Sequence, residues 1–222
     1  MTIINGENAK TVNSILQNLE KKVRILLFTQ EMECQYCRET KQLLQELSTL
    51  SNGNLIFESI DFIKDQNQAK NFGIDKIPAT IILNEKGTDY GIRFYGIPSG
   101  YEFGTLLEDI QMISRGKPEV SDKTHEAISK IINPLKLQVF VTPTCPYCPG
   151  VVFTAHKLAM LNENITADMV EATEFPHLAN KYQVYGVPRT MIGEFEAIEG
   201  ALPEQNFVQR VLDAYRKIYP DN

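Results

Sequence analysis

The stretch Leu137-Gln138-Val139-Phe140-Val141-Thr142-Pro143-Thr144-Cys145-Pro146-Tyr147-Cys148 joins an apolar, β-prone run to a Cys-x-x-Cys pair. The segment after it carries Val151, Val152, Ala155, Leu158 and Ala159 at helical spacing. Strand, dithiol and helix in that order make the pair a redox couple rather than a structural bridge. The same order occurs earlier, where Val23 to Thr29 leads into Cys34-Gln35-Tyr36-Cys37 and a helix with Leu43, Leu44 and Leu47 on one face. The chain has 4 cysteines, so all of its thiol chemistry lies in these two pairs.

The recurrence extends outward from the dithiols. Cys34 and Cys145 are 111 residues apart, and Pro78 and Pro188 are 110 apart. Each half opens with a helix, Ala9 to Lys22 or Asp122 to Ile132. Second strands follow the dithiol helices at Leu55 to Phe62 and Ile165 to Ala172, and short helical stretches lead from them to Ile77-Pro78 and Val187-Pro188. Thr80 to Leu83 then hairpins into Ile92 to Tyr95, and Thr190 to Ile192 into Phe195 to Ile198. The closing helices carry Phe103, Leu106, Leu107 and Ile110, and Phe207, Val208, Val211, Leu212 and Tyr215. The expected fold is therefore α/β, two tandem units of order αβαβαββα, each a central mixed sheet flanked by helices. Gly116 and Pro118 mark the boundary, giving units 1–117 and 118–222.

A helix beginning at the first cysteine would put Pro146 at its first position and Cys145 near the N-cap. Unpaired N–H groups and the positive end of the helix dipole favour a thiolate there. Cys34 and Cys145 are accordingly the expected nucleophiles, and Cys37 and Cys148, one turn further in, the resolving thiols. Arg38 stands where the second site has Pro149, with Glu31, Glu33 and Glu39 opposing it, so the two couples should differ in reduction potential with a sign that the sequence does not fix. Pro78 and Pro188 precede strands, where proline is tolerated. A cis bond is open to both, and recurrence 44 and 43 residues beyond the first cysteine of each pair favours it over the base rate of about 5%.

These residues resemble the thioredoxin superfamily, whose members place Cys-x-x-Cys after a core strand and a cis-proline opposite it. Cys145-Pro146-Tyr147-Cys148 is similar to the glutaredoxin motif, and a chain with two intact units resembles the glutaredoxin-like protein disulfide oxidoreductases of thermophilic archaea and bacteria. The resemblance implies oxidation, reduction or isomerisation of protein disulfides, with the couples cycling as Cys34–Cys37 and Cys145–Cys148 disulfides and no other cofactor. It also implies that the backbones of Ile77 and Val187, beside Pro78 and Pro188, pair with an extended substrate. A thioredoxin-reductase-type flavoenzyme would supply electrons, since the chain lacks the Gly-x-Gly-x-x-Gly of a nicotinamide site. The strand before each dithiol lacks the buried acid of thioredoxin, so no proton acceptor is assigned.

Two rivals remain. An electron relay to a peroxiredoxin keeps the fold, as in the duplicated N-terminal part of alkyl hydroperoxide reductase flavoproteins. A zinc site would draw on four thiolates, but 107 residues separate the pairs against the usual 15 to 20 or so, and no metal is expected. Net charge is −6 and both halves are acidic, which disfavours nucleic acid. No apolar run approaches the roughly 20 residues of a membrane span, and the polar start, Met1 to Lys10, does not read as a signal peptide, so a cytoplasmic protein is expected. His125, His156 and His177 read as surface or partly buried residues, and Glu194, Glu196 and Glu199 as a solvated face. Tyr36 and Tyr147 read as covers for the dithiols or as substrate contacts.

Overall fold

A computed structural model describes residues 2–220; the outermost ends of the expected units, residues 1 and 221–222, lie outside them. The chain divides into two compact units. One runs to Asp89 and adds Phe94–Pro98 and Leu106–Gly116; the other comprises Tyr90–Arg93, Ser99–Thr105 and the chain from Lys117 on.

In the first half of the chain the elements are α1 (Gly6–Gln17), β1 (Val23–Thr29), α2 (Cys37–Leu50), β2 (Leu55–Asp61), α3 (Gln66–Asn71), β3 (Ala79–Asn84), β4 (Asp89–Tyr95) and α4 (Glu102–Arg115). In the second they are α5 (Asp122–Ile128), β5 (Leu135–Val141), α6 (Cys148–Leu161), β6 (Ile165–Glu171), α7 (Pro176–Lys181), β7 (Arg189–Ile192), β8 (Glu196–Glu199) and α8 (Glu204–Ile218). The expected order αβαβαββα is thus observed twice.

The strands run in the order β2-β1-β3-β4 in one sheet segment and β6-β5-β7-β8 in the other. β1 pairs parallel with β2 and antiparallel with β3, and β5 pairs in the same way with β6 and β7. The parallel partner in each case is reached through the dithiol helix, because parallel strands need a crossover connection. Central position explains the composition of β1 and β5, where six of seven residues are buried. Leu43, Leu44 and Leu47 of α2 are buried, as are Val151, Val152, Ala155, Leu158 and Ala159 of α6.

Boundaries differ from expectation where side chains intervene. α1 ends at Gln17 rather than Lys22 because Asn18 caps it, donating from Nδ2 to the Ser14 carbonyl at 2.8 Å. Lys21 is held outside the helix by Ser114, whose Oγ accepts from its N–H at 2.9 Å and donates to its carbonyl at 2.8 Å. α5 stops at Ile128 because the hydroxyl of Tyr215 accepts from the N–H groups of Ile132 and Asn133, at 3.1 and 3.2 Å. β8 begins at Glu196, leaving Phe195 in the turn and 90% exposed.

Candidate functional site: two dithiols at the C-terminal ends of β1 and β5

Each central strand delivers its chain into a Cys-x-x-Cys turn. Cys34 and Cys37 form a disulfide with Cα atoms 5.5 Å apart, and Cys145 and Cys148 one at 5.6 Å, within the range the bond requires. The helices begin at Cys37 and Cys148, with Tyr36 and Tyr147 as N-caps, and not at the first cysteines. This corrects the expected register, and the cause is local. After β5 the N–H of Cys145 closes a turn onto the Thr142 carbonyl at 3.1 Å, so Pro146 lies in a turn and Pro149 takes the early helical position. A proline is tolerated there because its missing N–H is an orphan anyway.

The second cysteine of each pair is the shielded one. Cys37 is 2% exposed and Cys148 is 0% exposed; Cys34 is half-buried and Cys145 is 7% exposed. Between the cysteines, Tyr147 is 70% exposed, whereas Tyr36 is half-buried.

Both Ile77-Pro78 and Val187-Pro188 are cis. Each proline precedes a strand paired with β1 or β5. Its carbonyl accepts from a glycine N–H past the hairpin partner, Gly96 at 3.0 Å or Gly200 at 2.9 Å. The residues two and one before Ile77 are Asp75 and Lys76, with Lys76 Nζ lying 3.7 Å from the Tyr95 ring centroid. The matching pair before Val187 is Tyr185 and Gly186, and Tyr185 is 93% exposed. One loop is charged and the other presents an aromatic ring.

Sequence reading sought an acid on β1 and β5 and missed the acids that close the adjacent strands. Asp61 is in register with Thr29, the last residue of β1, and Glu171 with Val141, the last of β5. They are 110 residues apart, the same interval as the prolines, and that recurrence was the available signal. Asp61 accepts from the N–H groups of Ile63 and Lys64, both at 3.0 Å, and pairs with Lys64 Nζ at 2.9 Å. The Lys64 hydrogen bond holds its carboxyl below the ordinary range. Glu171 is 2% exposed, and its Oε2 accepts from Thr173 Oγ1 at 2.6 Å and Glu174 N at 2.7 Å. Its buried Oε1 has no hydrogen-bond partner.

A cleft of about 480 Å³ adjoins the first dithiol, lined by Thr29, Gln30, Glu31, Cys34, Cys37, Arg38, Lys41, Ser59 and Asp61. The second site is braced within its own unit by the segment Ser99–Thr105. There the Tyr101 N–H donates to the Pro143 carbonyl at 3.1 Å, and Gly100, at φ +61°, leaves no room for a Cβ against that carbonyl.

His156 is fully buried in α6, not at the surface, while His125 and His177 are exposed. Glu194, Glu196 and Glu199 make surface ion pairs with Lys181, Lys217 and Arg189 respectively, and the Glu194 and Glu199 side chains are more than half exposed. Among the described residues no group of three or more His, Cys, Asp and Glu side chains is placed to hold a metal ion. No helix among them is long and apolar enough to cross a membrane.

A family model described as a thioredoxin domain matches residues 135–213, and one described as a domain of unknown function, DUF7088, matches residues 9–96. A protein disulfide oxidoreductase from Aeropyrum pernix superposes with a TM-score of 0.89 and 26% identity, covering 98% of this chain and 96% of that one. The chain is a tandem thioredoxin-fold protein. With a disulfide in both units, this tandem thioredoxin-fold chain holds the two dithiol couples that thiol–disulfide exchange requires. The alkylhydroperoxide reductase AhpF of Enterococcus faecalis superposes with a TM-score of 0.86 at 26% identity, over 94% of the tandem chain and 99% of that structure. An alkyl hydroperoxide reductase polypeptide of Staphylococcus epidermidis is 27% identical over 189 residues, 78% of the chain but 37% of the relative. The chain therefore spans little more than a third of that curated relative's length.

Proposed function

We propose that the chain exchanges disulfides with polypeptide clients, with Cys34 and Cys145 as nucleophiles and Cys37 and Cys148 as resolving thiols. The observation that carries this assignment is depth: in each pair the first cysteine is the more exposed residue and the second is buried in the first turn of a helix. In the reducing direction the outer thiolate attacks a client disulfide and expels one client thiolate. The inner thiol then attacks the mixed disulfide, re-forms the internal bond and releases the second client thiol. Ile77-Pro78 and Val187-Pro188 border the dithiols and offer backbone to an extended client strand. The cysteine sulfurs themselves carry the electrons, and the functional halves are 1–117 and 118–222.

A thioredoxin-reductase-type flavoenzyme in the cytoplasm fits as the source of electrons. The similarity to alkyl hydroperoxide reductase over 78% of the chain supports a second reading, a relay to a peroxiredoxin. Insulin reduction and reactivation of scrambled ribonuclease by wild type, Cys34→Ser, Cys145→Ser and the double variant test the first reading. Loss of both activities in the double variant is expected, and full activity there overturns the mechanism. A chain inert toward protein disulfides but active toward a peroxiredoxin puts the relay first.

A further inference from the structure

The two dithiols differ in the charge that surrounds them, and at the first the imbalance lies inside a cleft. Four ionisable side chains other than the cysteines line that cleft: Glu31, Arg38, Lys41 and Asp61. Of the two acids, Asp61 is ion-paired outside the wall and Glu31 has no ion-pair partner among the described residues, so two unpaired cations face one unpaired acid. Asp61 pairs with Lys64 at 2.9 Å, and Glu31 adds to the field that raises the Lys64 pKa. The two cations share nothing, since among the described residues neither Arg38 nor Lys41 has an ion-pair partner. They stand one turn apart on α2, so both head groups serve the same side of the helix. The counterparts in the second unit are Pro149 and Val152, which carry no charge. At about 480 Å³ the cleft is the size of a small-molecule site.

We infer that the first dithiol, through Arg38 and Lys41, takes anionic low-molecular-weight disulfides, those whose arms end in carboxylates. This rests on the oxidoreductase reading and names a substrate class for one of its two sites. The Cys34 thiolate attacks one sulfur of R–S–S–R, the S–S bond breaks, and R–S⁻ leaves. The carboxylate of the arm still attached lies against Arg38 and Lys41. Cys37 then attacks Cys34, forming the internal disulfide and releasing the second R–S⁻. Two electrons pass from the dithiol to the small disulfide, and the two protons of the dithiol end on the two small thiols. Run backwards, the same steps reduce the internal disulfide with two equivalents of the anionic thiol.

The test uses full-length chains reduced and freed of reductant, one with Cys145→Ser/Cys148→Ser and one with Cys34→Ser/Cys37→Ser. Stopped-flow rates are measured with dithiodipropionate, cystamine and hydroxyethyl disulfide, which share one scaffold and carry negative, positive and no charge. The quantity read is the dithiodipropionate-to-cystamine rate ratio at the first dithiol divided by that at the second. Dividing cancels the difference between the leaving groups. A preference of about tenfold is expected at low ionic strength, the size of two exposed cation–carboxylate contacts, and it falls with added salt. Arg38→Gln/Lys41→Gln brings the quotient close to one, a change independent of how nucleophilic Cys34 remains. A quotient near one in the unmodified cleft, or one that the double substitution leaves unchanged, overturns the inference. Failure of hydroxyethyl disulfide at both dithiols overturns the oxidoreductase reading as well, which separates the two failures.

Discussion

Glu171 ends β6 in register with Val141, the last residue before the turn that carries Cys145. Asp61 and Thr29 hold the same places at the first dithiol. In both units the acid ties down the chain leaving the sheet, but the surroundings differ: Glu171 is 2% exposed, whereas the Asp61 side chain is 29% exposed. Removing Glu171 leaves the Glu174 N–H and the Thr173 hydroxyl without this acceptor. Removing Asp61 hands the N–H groups of Ile63 and Lys64 to water.

Glu171→Ala should therefore cost about 1–3 kcal/mol, the loss of two hydrogen bonds to a buried carboxylate, and Asp61→Ala less. Urea unfolding midpoints of the two variants decide the matter. Equal losses would mean that burial does not control the contribution of this position.

What could be read from the sequence was whatever repeats or alternates along it. The apolar runs of β1 and β5, the helical stripes of α2, α6 and α8, and the 110-residue interval between Pro78 and Pro188 depend on local pattern alone, and the observed elements follow them. The helix starts escaped because Thr142 turns the backbone onto Cys145 before α6 begins, a hydrogen bond with no sequence signature. Asp61 and Glu171 escaped because an acid on one strand acquires meaning only once register sets it beside its neighbour. Tyr215 ending α5, 83 residues from Ile132, is likewise a fact of packing.

Gly100 provides a test of how the second dithiol loop is held. A side chain there meets the Pro143 carbonyl and must also adopt φ +61°. Gly100→Ala should destabilise the chain by about 1–3 kcal/mol and alter alkylation of reduced Cys145 while leaving that of Cys34 unchanged. Gly104 lies in α4, where an added methyl group would meet nothing within 4 Å, so Gly104→Ala should instead stabilise, by about 0.5–1 kcal/mol. Thermal melts and alkylation rates read both effects. Identical behaviour of the two variants would remove Gly100 from the architecture of the site.

Glu204 gives the second unit a pH dependence. It opens α8 and accepts from Lys157 Nζ of α6 at 2.6 Å and from Thr124 Oγ1 of α5 at 2.8 Å. Burial alone pushes its pKa up, but the bonds from Lys157 and Thr124 outweigh it and the net value falls below the ordinary 4.5. A lowered folded value means that the stabilisation is present above pH 4.5 and is lost as pH falls through the folded pKa. Glu204→Gln should be about 1 kcal/mol less stable than wild type at neutral pH. The gap should narrow below pH 4.5; a gap constant between neutral pH and pH 3 or so would refute the linkage.

The two couples should also differ in reduction potential, and the structure gives the sign. Cys34 is half-buried beside a cleft where two cations without an ion-pair partner among the described residues, Arg38 and Lys41, outnumber one such acid, Glu31, a setting that favours the thiolate. Cys145 is 7% exposed and Cys148 fully buried, with Pro149 and Val152 in place of the two cations, so desolvation there disfavours it. Stabilising the reduced form makes a couple the stronger oxidant, and about 30 mV corresponds to 1.4 kcal/mol for two electrons. The first couple should therefore have the less negative potential, by some tens of millivolts. Equilibration against a thiol–disulfide buffer, each couple measured with the other changed to serine, gives both values. Substituting Arg38→Gln and Lys41→Gln should draw the first toward the second. Equal potentials in the starting chains, or a second couple that is the stronger oxidant, would mean that the cations do not act on the sulfur.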